Sequence, residues 1–140
     1  AQVSRLIRRS FDERAREIGV TRPQWQVLSV LGRSPGINQG SLAEILEVEP
    51  ITAGRMIDRL QEAGLVERRA DPADRRAWLL HLTDRGEDLR RRIRPLAAEA
   101  LDEALEGISA RDRAHLVETL QRMRSNLSRN VVHDEAVANG

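Results

Sequence analysis

Between residues 65 and 82 the apolar positions stop recurring every three or four residues and take on the pattern of two short extended segments around a proline turn. On both sides of that interruption the spacing is helical. A chain of 140 residues with one such break is confined to a single, mainly α domain carrying one small β-hairpin. The predicted strands are Leu65-Val66-Glu67-Arg68-Arg69 and Ala77-Trp78-Leu79-Leu80-His81-Leu82. The second mixes alternation with an apolar run, so spacing alone does not assign its faces. Between them, Asp71-Pro72-Ala73-Asp74 places Asp and Pro at the first two positions of a turn. Arg75 and Arg76 complete a highly charged loop.

The helical segments have legible ends. Val3, Leu6, Ile7, Phe11, Ala15 and Ile18 make one stripe over residues 3–18, closed by Gly19. Thr21-Arg22-Pro23-Gln24 has the form of a capping box with proline in the first turn. Trp25, Val27, Leu28, Val30 and Leu31 follow as a more fully buried helix, which Gly32 and Ser34-Pro35-Gly36 stop. Asn38 is a side-chain cap for a short helix from Gln39 to Leu46. After Val48-Glu49, Pro50 suits the first turn of another helix, with Ala53, Met56, Ile57, Leu60 and Ala63 on its core face and Gly64 as its stop. Thr52, Arg55 and Arg59 fall at i, i+3 and i+7, so they project together from the opposite face. Thr83 caps a helix running from Asp84 to near Glu106, in which Pro95 predicts a kink. Ser109 opens the last helix, where Leu116, Leu120, Met123, Leu127 and Val131 approach a heptad seam. Residues 132–140 carry no pattern and are expected to form a disordered tail.

Composition removes several function classes. The chain has no cysteine, hence no disulfide, no thiolate metal ligand and no thiol nucleophile. Glycine-rich phosphate loops are missing, and His81, His115 and His133 are the only imidazoles. Asp112-x-x-His115, near Glu99, Glu103, Glu106 and Glu118, has half of a di-iron pattern, which requires Glu-x-x-His on each of two helices. Dipole compensation by Asp112 in a first helical turn is the simpler account. The expectation is therefore a non-enzyme with no metal and no cofactor. No apolar run approaches the roughly 18 to 20 residues of a membrane helix, and a cytoplasmic location with no membrane partner is expected.

Net charge is +1, and all 23 cations are arginine. A GC-rich genome produces the same bias, so position must decide. Residues 50–94 hold 11 arginines against 8 acids, whereas residues 95–140 hold 5 against 8. A short helix, a tight turn, a second helix with an exposed Thr/Arg face and a basic hairpin form the layout of a winged helix-turn-helix. In that layout the second helix lies in the major groove, with its N-terminal residues nearest the base edges. Arg55 and Arg59 then fork to guanine or phosphate, and Arg75 and Arg76 reach the adjacent minor groove. For each cation the alternative is a solvated charge or an ion pair, such as Arg55 with Asp58. Asp74 is better suited to orienting an arginine or shaping the turn than to meeting phosphate.

Residues 19–86, with GVTRPQWQVLSVL, QGSLAEILEVEPITAGRMIDRLQEAGLVERR, ADPADRRAWLLHLT and DRG, resemble the MarR (multiple antibiotic resistance regulator) family. The Glu49-Pro50-Ile51-Thr52 opening is similar to its SlyA-like branch. The resemblance implies a homodimeric bacterial transcription regulator, a repressor, on a pseudo-palindromic double-stranded DNA operator. It implies dimerisation helices at 1–19 and 84–131 around a DNA-binding region at 20–83. By position, Pro50, Ile51, Thr52, Arg55 and Arg59 would serve the major groove, and Arg69, Asp74, Arg75 and Arg76 the wing. Such regulators respond to small lipophilic or phenolic effectors, for which Phe11, Trp25 and Leu28 are the candidate lining. The apolar stripes of the terminal helices call for a partner surface, either a second copy or an intrachain helical hairpin.

Overall fold

The computed structural model describes residues 1–138, with side chains through Arg129. It is mainly helical with one hairpin: α1 (Gln2–Glu17), α2 (Arg22–Arg33), α3 (Gln39–Leu46), α4 (Pro50–Glu62), β1 (Val66–Ala70), β2 (Trp78–Leu82), α5 (Asp84–Ala104) and α6 (Ala110–Ala138). The chain divides into two compact units, Ala1–Leu101 and Asp102–Gly140.

In the first unit the expected caps are in place. Gln24 Oε1 accepts the Thr21 N–H at 2.9 Å, and Asn38 Oδ1 accepts the Ser41 N–H at 2.8 Å. These satisfy donors that the first turns of α2 and α3 would otherwise leave open. Helix α3 ends on Glu47, a non-glycine residue at φ 55° and ψ 44°, and the Val48 N–H closes the turn onto the Ala43 carbonyl at 3.0 Å. A left-handed residue with a Cβ costs roughly 1–2 kcal/mol, of which glycine's extra chain entropy would return about 0.5–1. Glu47→Gly is therefore expected to stabilise the chain by roughly 0.5–1 kcal/mol, read as a thermal midpoint a few degrees higher. A lower midpoint would show that Glu47 has a compensating contact.

The core of this unit is formed by Val27, Leu28, Val30 and Leu31 of α2, Leu42 and Ala43 of α3, and Ala53, Ile57 and Leu60 of α4. Val66 and Leu80 from the hairpin, Phe11 and Ala15 from α1, Ile93 and Ala100 from α5, and Val20 and Leu65 from the connecting turns complete it. No polar or charged residue is buried among the described residues, so the core itself is held by apolar packing.

Strands β1 and β2 pair antiparallel, from Val66 opposite Leu82 to Ala70 opposite Trp78. Leu80 is fully buried, which turns the face shared by positions 78, 80 and 82 toward the core, while Trp78 at the outer end of that same face is 53% exposed. A third segment joins the sheet edge: the Leu80 N–H bonds the Ile37 carbonyl and the Gly36 N–H bonds the Leu80 carbonyl, both at 2.9 Å. The hairpin is thus tied to the segment between α2 and α3. Thr83 Oγ1 accepts the Gly86 N–H at 3.1 Å and donates to the Gly64 carbonyl at 2.5 Å, anchoring α5 to the α4–β1 turn.

Helix α5 continues through Pro95. In the second unit Ser109 Oγ accepts the Asp112 N–H at 3.2 Å, and α6 runs to Ala138, seven residues past the end of the apolar pattern at Val131. Helix α6 thus takes in residues 132–138 of the expected tail. Asn139 and Gly140 lie outside the described residues. Leu116, Leu120, Met123 and Leu127 on α6, with Val3 and Leu6 on α1, are 45–67% exposed. Within the single chain these apolar side chains remain in contact with solvent.

Candidate nucleic-acid interface

Helix α4 turns Ala53, Ile57 and Leu60 inward, and its geometry leaves Pro50, Ile51, Thr52, Arg55 and Arg59 exposed. Its first turn is held from α3 by Gln39, whose Nε2 donates to the Pro50 carbonyl at 3.1 Å. Gln39 sits so close that a Cβ on Gly54 would lie 2.9 Å from that nitrogen.

One arginine fixes the hairpin to this helix. Arg68 of β1 donates to Asp58 Oδ1 at 2.6 Å, to Gln61 Oε1 at 2.5 Å and to the Gly54 carbonyl at 3.5 Å, and its side chain is 21% exposed. Asp58 is therefore committed to Arg68. The alternative pairing of Asp58 with Arg55 does not form, and Arg55 has no carboxylate partner among the described residues. Sequence reasoning missed Arg68, because strand alternation places it opposite to Arg69 without revealing which helix residue lies beneath.

The wing loop is organised by its acids. Asp71 Oδ1 accepts the Ala73 N–H and Asp74 Oδ1 the Arg76 N–H, each at 2.9 Å. Of the two roles open to Asp74, the structure gives turn formation. Arg75 and Arg76 are exposed at the tip and, like Arg55 and Arg59, form no ion pair among the described residues. Arg69 differs: its guanidinium is bound to Glu67 on the same strand. Four of the five predicted arginines are thus free cations, and the fifth is partly neutralised.

The second predicted site is a cavity of about 800 Å³. Helix α1 contributes Ser4, Ile7, Arg8 and Phe11, and α2 contributes Trp25, Ser29 and Arg33. The α5 wall runs from Arg90 to Leu101. Phe11 and Trp25 meet edge to face with ring centroids 4.7 Å apart. Trp25 Nε1 donates to Asp12 Oδ1 at 2.9 Å, and Arg22 Nε donates to Asp12 Oδ2 at 2.8 Å. Partial burial pushes the Asp12 carboxyl up, but these hydrogen bonds from Arg22 and Trp25 outweigh it and hold Asp12 below its ordinary value. Leu28 does not belong to the lining. Positions 25, 29 and 33 form the α2 stripe that faces the cavity, whereas Leu28 is fully buried in the core.

A sequence profile described as MarR family matches residues 18–77, which spans α2, α3, α4, β1 and the wing loop just described. Solved structures extend the match across the flanking helices. Wild-type MarR from E. coli in its apo form superposes with a TM-score of 0.80 at 27% identity, covering 87% of this chain and 91% of that one. In both sequence profile and fold the chain is similar to the MarR family. A mutant of E. coli MarR complexed with operator DNA matches this chain with a TM-score of 0.74 at 27% identity, over 87% of this chain and 88% of that one. The transcriptional regulator SlyA matches at 29% identity and a TM-score of 0.74, covering 92% and 91%. Among curated relatives, the HTH-type transcriptional regulator YdgJ of Bacillus subtilis (strain 168) is 28% identical over 110 residues, 79% of this chain and 67% of its own length. The chain has the winged-helix fold of these DNA-binding transcriptional regulators, and the family it resembles is one of regulators, not of enzymes. Among the described residues no helix is long and apolar enough to cross a membrane.

Proposed function

We propose that this protein is a cytoplasmic homodimeric repressor of a pseudo-palindromic operator, whose release from DNA is controlled by a small lipophilic effector in the cavity of α1, α2 and α5. The observation that carries the reading is the set of free arginines at two places on one head. Arg55 and Arg59 lie on the exposed face of α4, and Arg75 and Arg76 lie at the wing tip. Arg68 couples the two through its bonds to Gly54, Asp58 and Gln61. Pro50, Ile51 and Thr52, in the first turn of α4, are the residues for base edges, Ile51 being suited to a thymine methyl group. Asp74 shapes the wing, and Arg69 assists it less because of Glu67.

The E. coli relative solved on operator DNA supports the DNA partner. The dimer is supported by the exposed stripe Leu116, Leu120, Met123 and Leu127 on α6, since contiguous exposed apolar surface of this kind marks association. Phe11 and Trp25 supply the apolar wall of the effector site.

Footprinting on the DNA flanking the gene, paired with sedimentation of the free protein, tests the reading. The expected result is a dimer at micromolar concentration and two protected half-sites centred about 10–10.5 bp, or a multiple of that, apart. A protein that stays monomeric, or one that binds all DNA with equal affinity, overturns it.

A further inference from the structure

A large apolar side chain on the wing is left uncovered by the fold. Trp78, the first residue of β2, is 53% exposed, and its indole N–H has no acceptor among the described residues. Trp25 is the contrast: it is partly buried, and its N–H is bonded to Asp12. An indole with an uncovered ring and an open donor suits an interface, where the ring is covered and the N–H meets an acceptor.

The strand register shows where the ring stands. Trp78 lies opposite Ala70, and Leu80 lies opposite Arg68. Opposite and alternate residues of a hairpin share a face, so these four lie on one. From that face Arg68 bonds Gly54, Asp58 and Gln61 of α4, so the face looks toward α4. Strand β1 begins after the turn that ends α4 and runs back along it. Ala70 and Trp78, about 7 Å beyond Arg68, therefore lie toward the first turn of that helix. The other edge of β2 gives the same position. Asn38 is bridged to Leu79, and its neighbour Gln39 holds the Pro50 carbonyl. The indole thus stands in the cleft between the wing tip and the exposed first turn of α4, Pro50 to Thr52.

With α4 in the major groove and the wing tip in the adjacent minor groove, the sugar–phosphate strand that separates the two grooves passes through this cleft. The free arginines Arg55 and Arg59 on one side and Arg75 and Arg76 on the other give the cleft the charge that a phosphate strand requires. We propose that Trp78 binds that strand, its ring packed on a deoxyribose and its Nε1–H donated to a phosphate oxygen. The proposal rests on the DNA-reading head and adds to it a contact that is neither charged nor directed at a base. Such a contact fixes the position of the protein on the duplex and carries no sequence information. Arg68 makes the placement rigid, because it ties the face that carries the indole to α4.

Fluorine NMR of the full chain carrying 5-fluorotryptophan tests this with two duplexes, the DNA flanking the gene and a mixed-sequence duplex of the same length at about 50 mM salt. The chain has two tryptophans, and Trp78→Phe assigns their resonances. The Trp78 resonance should show a large H2O/D2O shift in the free protein and lose most of it on either duplex. Trp78→Ala should bind both duplexes at least about tenfold more weakly. Trp78→Phe, which keeps a ring and lacks the donor, should fall between Trp78→Ala and the unsubstituted chain. Neither should change the slope of log K against log salt, because a neutral donor releases no counterion. If the flanking DNA binds with the expected dependence on Arg55 and Arg76 while the Trp78 resonance keeps its shift, the backbone contact falls and the reading head stands. Normal binding by Trp78→Ala, or a loss confined to one base pair, also overturns it. If Trp78 is covered and the arginine substitutions change nothing, the contact stands and the arginine assignment falls. Loss of the isotope shift on concentrating the protein without DNA means that a second copy covers the ring, which overturns the proposal.

Discussion

Arg55→Ala and Arg76→Ala are each expected to weaken operator binding by about 1–3 kcal/mol per lost base-edge contact. In the proposed homodimer every substitution occurs twice. The loss per operator is then about 2–6 kcal/mol, from roughly thirtyfold to more than ten-thousandfold in Kd. Neither guanidinium has a carboxylate partner among the described residues, and both residues are exposed. The folded state should therefore keep its thermal midpoint, which separates lost recognition from lost structure. The salt dependence discriminates further. A substitution that removes a phosphate contact should flatten the slope of log K against log salt by about one unit per contact, with a uniform loss across DNA sequences. One that removes a base contact should leave the slope and erase discrimination at one position. Arg69→Ala is the internal comparison: Glu67 already occupies that guanidinium, so its effect should be the smallest of the wing arginines. Unchanged affinity and slope in both Arg55→Ala and Arg76→Ala would mean that the reading surface lies elsewhere on the molecule.

The parts of the fold that local chemistry determines were readable in advance. Asn38 and Gln24 cap because their side chains reach donors three residues away, and Asp71-Pro72 turns because its backbone preferences are local. The free arginines were readable as a face, since helical spacing puts positions 52, 55 and 59 together. Pairing was a different matter. Asp58 lies three residues from Arg55 on the same helix, yet it bonds Arg68 from a strand ten residues later. That contact depends on how the hairpin folds back, which no periodicity encodes. Leu28 and Trp25 illustrate the same limit. Both are apolar residues on α2, and only the position of α1 and α5 decides that Trp25 faces the cavity while Leu28 faces the core.

Gly86→Ala is expected to destabilise the fold by about 3 kcal/mol, lowering the thermal midpoint by roughly 10 °C for a chain of this size. Helix propensity alone predicts the opposite sign, since alanine in a helix is favoured over glycine by about 1 kcal/mol. The deciding fact is a close approach. A Cβ on Gly86 would stand 2.0 Å from the Leu65 carbonyl oxygen, which is backbone and cannot rotate away. Retreat of α5 would break the bonds that anchor its first turn: Thr83 N–H to that same Leu65 oxygen at 3.1 Å, and Thr83 Oγ1 to the Gly64 carbonyl. Those bonds join α5 to the α4–β1 turn, so a structural loss here should also loosen the hairpin and weaken DNA binding in proportion to the unfolded fraction. Gly32 supplies the contrast. Its added Cβ would meet only the end of the Arg90 side chain, which is flexible and can swing aside. Gly32→Ala should therefore change stability by less than about 1 kcal/mol while displacing Arg90 from the cavity. If Gly86→Ala melts at or above the temperature of the unsubstituted protein, the close packing of α5 on Leu65 is wrong, and with it the path by which α5 supports the reading head.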